Sequence, residues 1–109
     1  MTRKEVYDMV QQIGLPAAYH HFTKATAKEP PFICFYYPGS DDYHADNLNY
    51  VRIDQLIVEL YTDSKSFDDE AAVENVLNAY GMTFAKDEAY ISDEKMYMTT
   101  YTMEVIINV

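Results

Sequence analysis

Tryptophan is absent from these 109 residues, cysteine occurs once and glycine three times. With Cys34 as the single cysteine, no intramolecular disulfide can form, and a reduced, cytosolic setting is expected. Cys34 lies within the apolar run Phe32-Ile33-Cys34-Phe35-Tyr36-Tyr37 and has no basic neighbour. It therefore reads as a core residue, since a reactive thiol needs an electropositive, partly open environment. The glycines, at 14, 39 and 81, all fall at expected helix ends or turns, which leaves none for a phosphate-cradling loop. A Gly-x-Ser-x-Gly elbow and a Cys-x-x-Cys pair are missing as well. Basic side chains are scarce, 8 against 18 acids, for a net charge of −10. Such a balance repels phosphate backbones and argues against ordinary nucleic-acid binding. No stretch approaches the ~18 consecutive apolar residues of a membrane span, and Met1-Thr2-Arg3-Lys4-Glu5 opens no export signal, so neither insertion nor secretion is expected.

What the chain does have is a hydrophobic fraction of 49% without a Gly-, Pro- or Ser-rich linker. One domain spanning 1–109 follows, and a chain of this length buries roughly two-thirds of its unfolded surface. Val6, Met9, Val10 and Ile13 recur at helical spacing between Thr2 and Ile13, with Thr2 and Glu5 placed as a capping box and Gly14 as a stop. After Leu15-Pro16, residues Ala17 to Phe22 read as a short extended piece, edge-like, before the polar stretch Thr23 to Glu29. Phe32 to Tyr37 has the pattern of a buried strand. Pro38-Gly39-Ser40-Asp41-Asp42 signals a turn that opens a polar loop to about Asn49. Tyr50 to Thr62 reads as a long strand whose apolar parity switches over Asp54-Gln55, as at a bulge or bend.

Ser66 and Asp69 mark the start of a second helix running to about Tyr80, with Ala72, Val73, Val76, Leu77 and Tyr80 as its apolar stripe and Gly81 as its cap. Met82 to Phe84 and Glu88 to Ile91 read as two short β pieces separated by Lys86-Asp87, followed by a turn at Ser92 to Lys95. The last strand, Met96 to Val109, alternates throughout: Tyr97, Tyr101, Met103, Val105 and Ile107 share one face. Met98, Thr100 and Thr102 share the other, which is polar near its middle and is expected to meet water or a partner. The order of elements predicts an α+β domain, an antiparallel or mixed β-sheet with two helices packed on one face.

Metal binding by His20-His21 with Asp41, Asp42, His44 and Asp46 is disfavoured, because adjacent side chains of an extended piece point to opposite faces. Asp41-Asp42 and Asp68-Asp69-Glu70 each have a structural reason to exist, in a turn and at a helix start, so neither reads as a catalytic acid/base pair. No catalytic residue, cofactor or metal is expected. The eleven tyrosines stand out. Tyr97 and Tyr101 belong to the core face, whereas Tyr43 and Tyr50 join no apolar stripe and suit contacts with another molecule.

The pieces Leu15-Pro16-Ala17-Ala18-Tyr19, Pro31-Phe32-Ile33-Cys34-Phe35-Tyr36-Tyr37, Ala45-Asp46-Asn47, Glu59-Leu60-Tyr61-Thr62-Asp63 and Glu94-Lys95-Met96-Tyr97, taken in order, resemble the tail-completion, or tail terminator, proteins of long-tailed phages and prophages of Gram-positive bacteria. None of these pieces is a chemical signature, and the likeness is one of texture over nearly the whole chain. The resemblance implies a structural subunit, not an enzyme, closing into a ring, typically a hexamer, at the head-proximal end of the virion tail. Assembly would take place in the host cytoplasm. Its partners would be further copies of itself, the tail tube protein and the head connector protein, with DNA passing through unbound. Six copies would carry a summed charge of roughly −60, which suits a lumen that DNA must not stick to. Asp41, Asp42, Tyr43, His44, Asp46, Tyr50, Met98, Thr100 and Thr102 are the candidate interface or lumen contacts. Alternative readings are a neighbouring head–tail neck component and, from another class, a monomeric acidic module that mimics nucleic acid.

Overall fold

A computed structural model of the protein describes residues 1–21, 29–40, 43–45 and 48–107, with the backbone alone at 43–45 and 48–51. In chain order the elements are α1 (Arg3–Gln11), β1 (Ala17–Tyr19), β2 (Phe32–Tyr36), β3 (Tyr43–Ala45), β4 (Leu48–Val51), β5 (Ile53–Thr62), α2 (Phe67–Ala79), β6 (Phe84–Ile91) and β7 (Met96–Ile106). Five strands form a mixed sheet in the order β1-β2-β5-β7-β6, with β1 parallel to β2 and the other neighbours antiparallel. β3 and β4 pair as a separate two-stranded sheet. The domain is therefore α+β. Among the described residues no helix is long and apolar enough to cross a membrane.

Local chemistry sets both helix boundaries. The Thr2 hydroxyl accepts from the Glu5 N–H at 3.1 Å and the Glu5 carboxylate accepts from the Thr2 N–H at 3.0 Å, which satisfies two otherwise orphaned donors reciprocally. Ser66 Oγ accepts from the Asp69 N–H at 3.2 Å to start α2. At the other end of α2, Gly81 has φ +73°; its N–H donates to Asn78 and the Met82 N–H donates to Leu77. That bond pair closes the helix in a Schellman motif, which needs a residue tolerant of positive φ.

Val6, Met9, Val10 and Ile13 from the first helical segment and Val73 and Leu77 from α2 join one buried cluster. Ile33, Phe35, Leu56, Val58, Leu60, Tyr101, Met103 and Val105 complete it from the sheet. Strand register places all of those sheet residues on one parity: Ile33 lies opposite Leu60, Phe35 opposite Val58, Val58 opposite Tyr101 and Leu56 opposite Met103.

The structure departs from the sequence expectations in three places. The strand expected from Tyr50 to Thr62 is broken at Arg52, and from Asp54 onward Leu56, Val58, Leu60 and Thr62 hold one buried parity without a switch. The apparent phase change came from Asp54 itself, a charged residue at a buried core-parity position. The two β pieces expected around Lys86-Asp87 are one strand, β6, because Lys86 pairs in register with Tyr101 and is held by carboxylates of α2. The loop expected up to Asn49 contains β3 and the start of β4.

Val105 is buried to 2% exposure, opposite Asp54 in β5. Val105→Asp would bury a second carboxylate without a partner at a cost of several kcal/mol, comparable with the whole stability of a small domain. The expected outcome is loss of the cooperative thermal transition followed by circular dichroism at neutral pH; retention of a wild-type melting temperature would contradict this packing.

Candidate assembly surface

The opposite parity of the sheet contributes nothing to the buried cluster. Register arranges it in rows running across the strands. Phe32, Tyr61, Met98 and Ala89 form one row; Cys34, Glu59, Thr100 and Asp87 the next; Tyr36, Ile57, Thr102 and Ala85 the third. Phe32 and Tyr61 stack with ring centroids 4.9 Å apart and planes 17° from parallel. Phe32, Tyr36, Ile57, Tyr61, Met98 and Thr100 are each only half-buried. An apolar, aromatic row thus borders a polar middle row on a surface 8 to 11 residues long in its β6 and β7 strands.

Glu59 organises the centre of this face. It accepts from the Tyr61 hydroxyl at 3.0 Å and from the Tyr36 hydroxyl at 3.4 Å. Burial, then the charge and hydrogen bond of Glu59, push both phenols above their ordinary range. They remain protonated donors at physiological pH, and the trio fixes side chains on the face without supplying a base.

A second charged constellation joins α2 to β6 and β7. Glu70, at 3% exposure, has Lys65 Nζ at 2.7 Å and Lys86 Nζ at 2.8 Å. Lys86 also lies 2.8 Å from Glu74 Oε2, which accepts from the buried Tyr101 hydroxyl at 2.8 Å. Burial pushes the Glu70 carboxyl up, but hydrogen bonds and charge from Lys65 and Lys86 outweigh it and hold the group below the usual carboxylate range. Burial, then the bond to Glu74, pushes the Tyr101 phenol far up. Every charge in this set has a partner that ties helix to sheet.

Of the residues singled out from the sequence, Met98, Thr100 and Thr102 lie together on the uncovered face of β7, Thr102 exposed and the other two half-buried. Asp41, Asp42 and Asp46 lie outside the described residues; Tyr43 and His44 belong to β3 and Tyr50 to β4, with backbone alone described. The Asp68-Asp69-Glu70 run does open α2, as its spacing suggested, yet Glu70 also turns inward to the lysines. Sequence reasoning missed Phe32, Tyr36, Ile57, Glu59 and Tyr61 as one surface. The available signal was the odd parity of β5, obscured because both parities of that strand carry large side chains. The chain matches no known family model and no curated protein.

The Glu70 network makes stability depend on pH with a definite sign. The folded value lies below the ordinary 4.5, so its contribution is complete above that value and is lost as pH falls through the folded value. Lys65 and Lys86 are both raised, chiefly by their hydrogen bonds to Glu70, so their share is lost only as pH rises past their folded values above 10.5. Glu70→Gln should flatten the acid limb of a plot of urea midpoint against pH. Lys65→Met combined with Lys86→Met should instead lower the urea midpoint near neutrality, because the Glu70 carboxylate is left unpaired. An unchanged acid limb in Glu70→Gln would remove the network from the stability account.

Proposed function

We propose that this chain is a structural tail-completion subunit of a long-tailed phage or prophage of a Gram-positive host, with a tail-terminator-like fold whose two helices cover one face of the sheet. Copies close into a ring, six being the expected number, on the head-proximal end of the tail tube. The ring stops tube growth and offers a docking face to the head connector, and DNA passes through without being gripped. The role requires no catalysis.

The observation that carries the reading is the face, left uncovered by the described helices, that bears Phe32, Tyr61 and Met98 beside Glu59 and Thr100. A half-buried apolar row rimmed by polar groups is the composition of a surface that meets another protein. The unequal sheet edges favour the same reading. β1 offers three residues and β6 eight, so a contact between copies joins unlike patches, which is how cyclic assemblies grow. The net charge of −10 per copy supplies a repulsive wall for DNA.

Native mass spectrometry and light scattering of the purified chain, with electron microscopy after mixing with isolated tail tubes, test this directly. A defined ring and capped tubes are expected; a monomer at every concentration together with bare tube ends would refute it. Met98→Lys should fold with a wild-type circular dichroism spectrum yet lose tube capping. Joint reversal of Asp41 and Asp42 to Lys should leave folding intact and reduce infectivity, and full infectivity in that variant would take those residues out of the mechanism.

A further inference from the structure

Two adjoining cavities open at the end of the sheet where β5 begins. The first, about 320 Å³, is walled by Tyr7, Tyr19, Phe35 and Tyr37 with Arg3 at its rim. The second, about 250 Å³, shares Arg3, Tyr19 and Tyr37 and adds Gly39, Ser40, Arg52 and Asp54. The rings are set for a further aromatic group: Tyr19 meets Phe35 edge-on at 5.4 Å, and Tyr7 lies 6.4 Å from Phe35. Tyr7 and Tyr19 are each about half exposed.

The polar side is incomplete in charge and in hydrogen bonding. Arg3 lies 2.7 Å from Asp54 Oδ2 and Arg52 lies 3.3 Å from Oδ1, so two guanidinium groups share one buried carboxylate. Among the described residues these two cations share that one carboxylate, in a chain whose net charge is −10. The guanidinium of Arg3 also covers the Tyr37 ring at 4.9 Å. The Tyr37 hydroxyl is buried and has no hydrogen-bond partner among the described residues. A carboxylate entering between the arginines would balance the charge there.

Among the described residues outside the cleft, one exposed pair has both required features. Phe67, at 73% exposure, is the most exposed of its described large apolar side chains, and the next residue, Asp68, is exposed and has no ion-pair partner among the described residues. Lys65 Nζ sits 4.7 Å from the centroid of the Phe67 ring and covers one side of it. The same copy cannot make the contact. Phe67 follows the far end of β5, and the nine strand residues from Asp54, which lines the second cavity, to Thr62 span roughly 27 Å. Such a separation fits a molecule whose longest dimension is 50 Å.

We propose that the cleft between Tyr7, Tyr19, Tyr37, Arg3 and Arg52 is a socket for Phe67 and Asp68 of a second copy of this chain. The ring of Phe67 fills the aromatic cavity against Phe35, and the carboxylate of Asp68 lies between Arg3 and Arg52. Plug and socket are different patches at opposite ends of β5, so the contact is heterologous and repeats from copy to copy. The assignment rests on the self-assembly put forward above and names the contact that produces it.

Site-directed cross-linking separates this contact from the wider reading. Phe67→Cys protein mixed with Tyr19→Cys protein should form a disulfide-linked dimer under mild oxidation, while neither variant alone does so to the same extent; native Cys34 is buried. Phe67→Ala and Asp68→Asn, both on exposed side chains, should each weaken self-association roughly tenfold by light scattering with unchanged melting temperatures. A dimer formed equally well by Phe67→Cys alone, or no dimer in the mixture, would overturn the socket. So would full self-association of Phe67→Ala. If wild-type protein still forms rings by native mass spectrometry in that case, the ring stands and this contact alone fails; a wild-type monomer would instead remove the ring.

Discussion

Ten residue pairs join β5 to β7, from Ile53 opposite Ile106 to Thr62 opposite Tyr97, and the other elements take their places from that ladder. A strand pair this long fixes parity over its whole length, because a slip of one residue would carry Leu56, Val58, Leu60, Tyr101 and Met103 out of the core together. β2 adds to one side of the pair and β6 to the other, and the helices supply Val6, Met9, Val10, Val73 and Leu77 to the face thus defined. Since only one parity joins the core, the other is left to meet solvent or another molecule. The uncovered face is therefore a direct consequence of the same pairing that makes the core.

The chain uses its few cations economically. Four of its 8 basic residues, Arg3, Arg52, Lys65 and Lys86, are spent on two buried carboxylates, Asp54 and Glu70. Each carboxylate is reached by two cations because burial penalises an ionised group more than a single partner repays. The two sites then differ in what remains. At Glu70 the second lysine is also matched by Glu74, and the network is locally complete. At Asp54 no further acid is within reach of the second arginine among the described residues, and a cation faces an open cavity. An acidic surface with a localised positive deficit of partners is a polar arrangement, suited to joining one end of a molecule to the other end of its copy.

Much of the fold was legible in the residues. The Thr2–Glu5 box, the Ser66 cap and the Gly81 stop are short-range chemistry, and each appears where the spacing put it. The alternation in the last strand likewise gave the buried set Tyr101, Met103, Val105 and Ile107. Errors arose where a distant partner changed the meaning of a charge. Asp54 looked like a break because Arg3, 51 positions away, was not visible as its counter-ion. Lys86 looked like a turn residue because Glu70 and Glu74 belong to another element. For the surface, Met98, Thr100 and Thr102 were readable from β7 alone, whereas Phe32 and Tyr61 could join them only through a register that composition does not encode.

A head-to-tail contact places no limit on the number of copies by itself; closure depends on the rotation from one copy to the next. Given a plug and socket at opposite ends of β5, that rotation is set by how α2's first turn seats beside β1 and α1. Phe35, Tyr19 and Arg3 come from three different segments, which removes most freedom for the seated ring to swivel. The uncovered row of Phe32, Tyr61 and Met98 belongs to the sheet face away from this cleft, so it stays available in every copy once the contact has formed. In the proposed assembly, closure and docking fall to opposite faces of one sheet. A ring can complete itself through one face and still offer an unbroken, repeated surface through the other.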